Sequence, residues 1–179
     1  MKKLSLLLFI STLVLFSCKK DDDESNTGST NDDLVGTWHL SGFNSTQTST
    51  YTTDGETTEE QTQEVTGTEF DSSITFTSDP NEYNFEGEYT AFIEVFEEDE
   101  VISSFEYGGN PLFIYGDPSG EWKIEDGQLF LTSGFITQYM TIETLNDNTL
   151  ILSTADEQVI EYDGQTLTIT QEGTYTFTK

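Results

Sequence analysis

Trp122-Lys123-Ile124-Glu125-Asp126-Gly127-Gln128-Leu129-Phe130-Leu131-Thr132 decides the fold. Apolar and polar side chains alternate on both sides of an Asp-Gly pair. Period-two alternation marks a half-buried strand, and Asp-Gly supplies the two positive-φ residues of a type I′ hairpin turn. The same grammar repeats downstream. Asp163-Gly164 separates residues 159–162 from 166–170, and Asn146-Asp147-Asn148 separates 140–145 from 150–153. Glu172-Gly173 reads as one more turn before residues 174–178. Alternation puts Trp122, Ile124, Leu129, Leu131, Met140, Ile142, Leu150, Leu152, Ile160, Tyr162, Leu167, Ile169, Tyr175 and Phe177 on the buried side. Their neighbours are mostly Thr, Glu, Gln and Ser, so one face is dry and the other wet, as in an antiparallel meander.

The upstream half is less regular. Residues 34–43 read as a strand, with a possible continuation to Tyr51. Residues 54–68 are polar, with five acids, and read as an exposed mobile loop. Residues 74–77 and 83–85 flank the turn Ser78-Asp79-Pro80-Asn81. Residues 89–96 are apolar on both faces, with Phe92 and Phe96 opposite Tyr89, Ala91, Ile93 and Val95. Glu97-Glu98-Asp99-Glu100 is a charged turn before residues 101–107. No stretch has the 3.6-residue period of a normal helix. Eight to ten short strands at hairpin spacing predict an all-β, up-and-down antiparallel meander, closed or nearly closed into a barrel.

Composition narrows the partners. The chain has 179 residues, 34 acidic against 6 basic, and a net charge of −28. All six basic residues are lysines, so no guanidinium is available to clamp phosphate or carboxylate. Nucleic acid is excluded as a partner, because displacing phosphate counterions requires cations. One Cys excludes an internal disulfide.

The first residues read as an address. Lys2 and Lys3 precede a 13-residue apolar run, residues 4–16, interrupted only by Ser5, Ser11 and Thr12. That is too short to span a bilayer and fits a secretory h-region. Leu15-Phe16-Ser17-Cys18 resembles the lipobox of bacterial lipoproteins. The resemblance implies a signal peptide over residues 1–17, cleavage before Cys18, and acyl chains on Cys18 that fix the protein to a membrane. Lys19-Lys20-Asp21-Asp22-Asp23-Glu24 resembles the surface-export signal of lipoproteins in Bacteroidetes-type bacteria, which implies an outer-membrane lipoprotein exposed on the cell; a periplasm-facing tether is the alternative. Residues 18–33 read as the lipidated Cys followed by an acidic flexible linker. Loss of Lys2 and Lys3 takes the charge from −28 to −30, which repels anionic surfaces.

The domain, residues 34–179, opens with Leu34-Val35-Gly36-Thr37-Trp38. Gly36 and Trp38 resemble the Gly-x-Trp at the first strand of lipocalins and the wider calycin group. With the lipobox, the acidic linker and the hairpins, the layout is similar to lipocalin-like lipoproteins of Bacteroidetes-type bacteria. The resemblance implies that Trp38 plugs the closed end of a barrel. Those families commonly cover this Trp with an Arg; here Lys179 or Lys123 is the available substitute. The resemblance further implies a binding protein with a small apolar ligand in the barrel, lined by Tyr89, Ile93, Trp122, Leu129 and Leu131. The alternative is a surface adhesion or assembly component of a nutrient (glycan) uptake complex, working through an outer-membrane protein partner.

No catalytic set is expected. His39 is the only His and alternates outward from Trp38. One His and one acylated Cys make a zinc site unworkable, and the acidic runs at 54–64 and 97–100 lack EF-hand spacing. No metal and no cofactor is expected. The aromatics of the middle region, Phe70 to Tyr115, read as core, as cavity lining, or as surface rings that stack on sugars.

Overall fold

The computed structural model describes residues 31–109 and 117–179. The signal peptide, Cys18 and residues 19–24 lie outside the described residues, as do Phe113 and Tyr115. A helical turn, α1 (Asn31–Leu34), precedes nine strands among the described residues: β1 (Gly36–Thr53), β2 (Glu56–Thr77), β3 (Glu82–Glu97), β4 (Glu100–Gly109), β5 (Ser119–Glu125), β6 (Gln128–Ser133), β7 (Ile136–Leu145), β8 (Thr149–Tyr162) and β9 (Gln165–Thr178). Every strand pairing is antiparallel. The ladder runs β2-β1-β9-β8-β7-β6-β5-β3 and closes through β3 on β2, a ring of eight strands. β4 and β5 share one edge of β3: β4 pairs with residues 89–97 and β5 with residues 82–84. They run in the same direction, so they act as two pieces of one stave. The meander and its closure agree with the expectation from sequence.

The staves differ greatly in length. β6 has 6 residues and β5 has 7, whereas β1 has 18 and β2 has 22. At about 3.4 Å per residue, that is roughly 20 Å of strand against roughly 60–75 Å. The ring is therefore complete only at its base. Above β5, β6 and the start of β7, six strands continue as one open sheet in the order β4-β3-β2-β1-β9-β8.

The base is filled by side chains. Trp38, Leu40, Ile74, Phe76, Phe85, Trp122, Leu129, Leu131, Met140, Leu150, Leu152 and Phe177 are buried in one cluster with Phe43, Tyr89 and Tyr175. These come from alternate positions of facing strands, as Trp38 opposite Ile74 and Leu40 opposite Phe177 illustrate. Burying them supplies the main stabilisation, about 1.5–3 kcal/mol for each large apolar side chain. Four rings finish the upper layer of the core: Phe43 stacks on Tyr175 at 4.8 Å and meets Tyr89 edge-on at 5.5 Å, and Phe70 stacks on Tyr89 at 6.4 Å.

Burial keeps these phenols neutral. It pushes Tyr175 up to about 12, and it raises Tyr89 as well, helped by the neighbouring Tyr175 and Tyr107. The unfolded chain gives up the Tyr175 proton near pH 10 and the folded chain keeps it to about pH 12. The native state thus binds more protons in that window. Its stability is complete below about pH 10 and falls above it, by about 1.4 kcal/mol per pH unit for such a tyrosine. Urea midpoints measured between pH 9 and pH 11.5 check this; a flat profile contradicts it.

The hairpin turns follow the Asp-Gly rule. Asp54-Gly55, Asp126-Gly127 and Asp163-Gly164 all have positive φ at both residues, as do Glu98 and Asp99 in the charged turn. Two expectations are corrected. Residues 54–68 are no loop: Asp54-Gly55 is a tight turn and the rest is the long strand β2. The segment is polar on both faces because the sheet there has solvent on both sides. Glu172-Gly173 is no turn either, but lies inside β9. A Cβ on Gly173 would stand 3.1 Å from Thr154 Oγ1 and 3.5 Å from Ser45, so this Gly serves close packing between β1 and β8.

One buried group is unpaired. The Ser72 hydroxyl is buried on β2 with no hydrogen-bond partner among the described residues. An unmade buried hydrogen bond costs about 1–3 kcal/mol, so Ser72→Ala is expected to be neutral or stabilising by about 1 kcal/mol. Chemical denaturation reads the difference, and a clear loss of stability would show that Ser72 holds a bond in solution.

Candidate functional site

The closed end of the ring is held by a latch. Trp38 is wholly buried, and its indole N–H donates to the Leu34 carbonyl at 2.7 Å, which ties α1 across the base. The Lys179 ammonium lies 4.2 Å from the Trp38 ring centroid and donates to the carbonyls of Val35 (3.2 Å) and Asp33 (3.4 Å). Gly36 has a φ of 128°, and a Cβ there would meet the Lys179 side chain at 3.2 Å. The aliphatic stem of Lys179 needs the space that Gly36 leaves. Lys179, not Lys123, covers the tryptophan. Lys123 instead pairs with Glu125 and lies 4.6 Å from the Phe130 ring.

The residues expected to line a barrel cavity lie inside the ring, packed against one another. Tyr89, Trp122, Leu129 and Leu131 belong to the packed core, and the Trp122 indole donates to the Thr77 carbonyl at 2.9 Å. Ile93 is the member of that set at the top of the core, 8% exposed, where the ring gives way to the open sheet.

Strand register shows what lies above. Directly opposite residues share a face, so the pairings trace rows across the tall strands on the side continuous with the barrel interior. The first row above the aromatic layer is Phe105, Ile93, Val65, Ser45, Gly173, Thr154. The next is Ser103, Val95, Gln63, Gln47, Gln171, Asp156. Then come Glu97, Gln61, Ser49, Ile169, Gln158, and after them Glu59, Tyr51, Leu167, Ile160. Tyr162 opposite Gln165 closes the series.

This inner face has a distinct chemistry. Its middle is amide: Gln47, Gln61, Gln63 and Gln171. Its margins carry exposed apolar residues: Phe105 (47%), Tyr107 (56%), Tyr51 (42%), Ile160 (50%) and Tyr162 (78%). The outer face of the same strands is threonine and carboxylate, with Glu64 opposite Glu94 and Glu172 opposite Thr46 and Ala155. Phe92 and Val159 interrupt it, both exposed. The short wall ends at the turn before β7, where Phe135 stands free in solvent and Ile136 is exposed beside it.

His39 is exposed on the outer side of β1. Among the described residues no group of three or more His, Cys, Asp or Glu side chains is placed to hold a metal ion. No family model, no curated protein and no solved structure matches the chain. The functional reading therefore rests on the geometry of the open face.

Proposed function

We propose that the protein is a lipid-anchored, lipocalin-like binding module of the outer envelope, a binder rather than an enzyme. It takes its ligand on the inner face of the tall strands, above the packed base. In this reading acyl chains on Cys18 hold the chain to the outer membrane, residues 19–24 direct it to the cell surface, and the acidic linker lifts the domain clear. The observation that supports it is the mismatch in strand length. The short staves β5 and β6 leave the inner face of β1, β2, β3, β8 and β9 open, with Tyr51, Phe105 and Tyr107 exposed on it. Exposed apolar side chains gathered on one face are what a recognition surface requires. This is the chemistry of a surface adhesion or assembly component more than of a deep-barrel carrier.

A thermal-shift screen of the full chain in detergent, against neutral oligosaccharides, amphiphiles and cationic peptides, tests the assignment. Hits are expected to disappear in the Tyr51→Ala/Phe105→Ala double variant and to survive in Phe92→Ala, which alters the outer face. Hits that ignore the inner-face change would sink the proposal.

A small apolar ligand is the second reading. The row Phe105, Ile93, Val65 just above the aromatic layer favours it, since that part of the face is apolar. A displaceable, stoichiometric fluorescent fatty-acid probe that no longer binds after Val65→Gln would support this alternative.

A further inference from the structure

We infer that the inner face of the tall strands binds an uncharged polysaccharide, laid across the strands along the row Gln63, Gln47, Gln171. The inference rests on the inner face being the working surface, and it names the ligand class.

The first argument is register. Gln63 on β2 stands opposite Gln47 on β1, and Gln47 stands opposite Gln171 on β9. Adjacent strands are about 4.8 Å apart, so the three amides form a row about 10 Å long. Gln61 lies one step further along β2. Gln47, Gln61 and Gln63 are half-buried and Gln171 is exposed. None of the four makes a side-chain hydrogen bond among the described residues. Each amide offers both donors and acceptors at a fixed position. A sugar hydroxyl is likewise donor and acceptor at once, so a row of free amides matches a row of hydroxyls without any charge on either partner.

The second argument is the flanks. Tyr51 lies on the tip side of this row and Phe105 and Tyr107 on the base side, all on the same face and all exposed. The apolar C–H face of a pyranose ring packs on such rings, while its equatorial hydroxyls turn to the polar groups beside them. Rings that are apolar in body and polar at the tip suit a ligand that is wet on its edge and dry on its face.

The third argument is charge. The chain carries −28 overall, which disfavours anionic polymers. A lysine-rich partner would be read by carboxylates, yet on these strands Glu60, Glu64, Glu94, Glu106, Glu157, Glu161 and Glu172 all alternate to the outer face. The inner face carries Glu56, Glu59, Glu97, Glu100 and Asp156 around the amides, with Asp156 opposite Gln171 and Glu97 opposite Gln61, and Asp156 accepts from Gln158 Nε2 at 3.4 Å. The amide row is uncharged and bordered by carboxylates, which disfavours an anionic ligand and leaves hydroxyls, which hydrogen-bond to amide and carboxylate alike, as the matching groups.

The test is affinity electrophoresis of the full chain in detergent through gels containing soluble glucan, xylan, mannan or galactan, with polygalacturonate as the anionic control. Lysine-rich peptide and fluorescent fatty acid are titrated in parallel. At least one neutral polysaccharide is expected to retard the chain and polygalacturonate is not. Gln47→Ala/Gln63→Ala/Gln171→Ala should weaken that retardation at least about tenfold, the combined effect of several lost hydrogen bonds. Tyr51→Ala should weaken it several-fold, and Thr48→Ala/Thr170→Ala on the outer face should leave it unchanged. Thermal melts certify that each variant is folded. Retardation that survives the amide substitutions, or no retardation by any neutral polymer, overturns the inference. If the peptide or the fatty acid binds instead, and the inner-face variants abolish it, the ligand class falls while the binding face stands. If no probe binds, both fall.

Discussion

Trp38→Ala is expected to destabilise the protein by about 3–5 kcal/mol, the usual range for emptying a large aromatic site in a core. The indole is wholly buried and its N–H satisfies the Leu34 carbonyl, so removal both opens a cavity and orphans that carbonyl. It also strips Lys179 of the ring that it covers. Lys179→Met separates these effects. Methionine keeps most of the apolar stem but loses the charge and the two hydrogen bonds to the Val35 and Asp33 carbonyls, so the expected cost is about 1–3 kcal/mol, the scale of one cation–π contact plus two exposed hydrogen bonds. Urea denaturation followed by circular dichroism reads both. A cost below about 1 kcal/mol for Trp38→Ala would mean that the base is held together by something other than its plug.

Gly87→Ala is expected to be similarly damaging for a different reason. Gly87 on β3 has a φ of +87°, and a Cβ there would fall 1.9 Å from the Asp71 carbonyl oxygen of β2. A left-handed φ costs an L-residue about 1–2 kcal/mol, and the clash with backbone adds about 1–3 kcal/mol because the β2–β3 ladder must open. That ladder is the pairing that closes the ring. Gly164→Ala is the control. It sits at a φ of +80° with nothing within 4 Å, so it carries the conformational cost alone. Melting temperatures should rank wild type, Gly164→Ala, then Gly87→Ala, with a wide gap before the last. Equal effects at the two glycines would contradict the close approach of β2 and β3.

These two sites show which parts of the architecture can be read from residues in order. Asp126-Gly127 and Asp163-Gly164 announce their turns, because a type I′ turn demands positive φ and the flanking alternation is clean. Glu172-Gly173 has the same look and lies mid-strand, because what Gly173 relieves is crowding by Thr154 and Ser45, residues distant in sequence. The segment after Asp54 reads as a loop because its composition is polar on both sides. In the structure that is what a strand looks like when its sheet has water on both faces. Alternation puts Ile160 and Tyr162 on the interior side. They do share the face of Leu150 and Leu152, yet they are exposed because the opposite wall ends below them. Alternation tells which face a side chain joins, and says nothing about whether another layer stands across from it.

The candidate site was legible only in part. Gly36 and Trp38 mark the closed end, and the aromatics from Phe70 to Tyr115 read as a group able to serve core, cavity lining or surface. The amide row was not legible. Gln47, Gln63 and Gln171 alternate with threonines, and each by itself resembles an ordinary wet position. Their alignment depends on β1 pairing with β9 across more than a hundred residues of chain, a long-range register that no local pattern encodes.

Hydroxyl-radical footprinting of the full chain, read residue by residue by mass spectrometry, tests the central claim most directly: a base filled by its own side chains beneath an open inner face. Heavy oxidation of Tyr51, Phe105 and Tyr107, with Trp38, Trp122 and Tyr175 protected, is the expected outcome. Protection of Tyr51 and Phe105 in the isolated protein, or ready oxidation of Trp38 and Trp122, would contradict it.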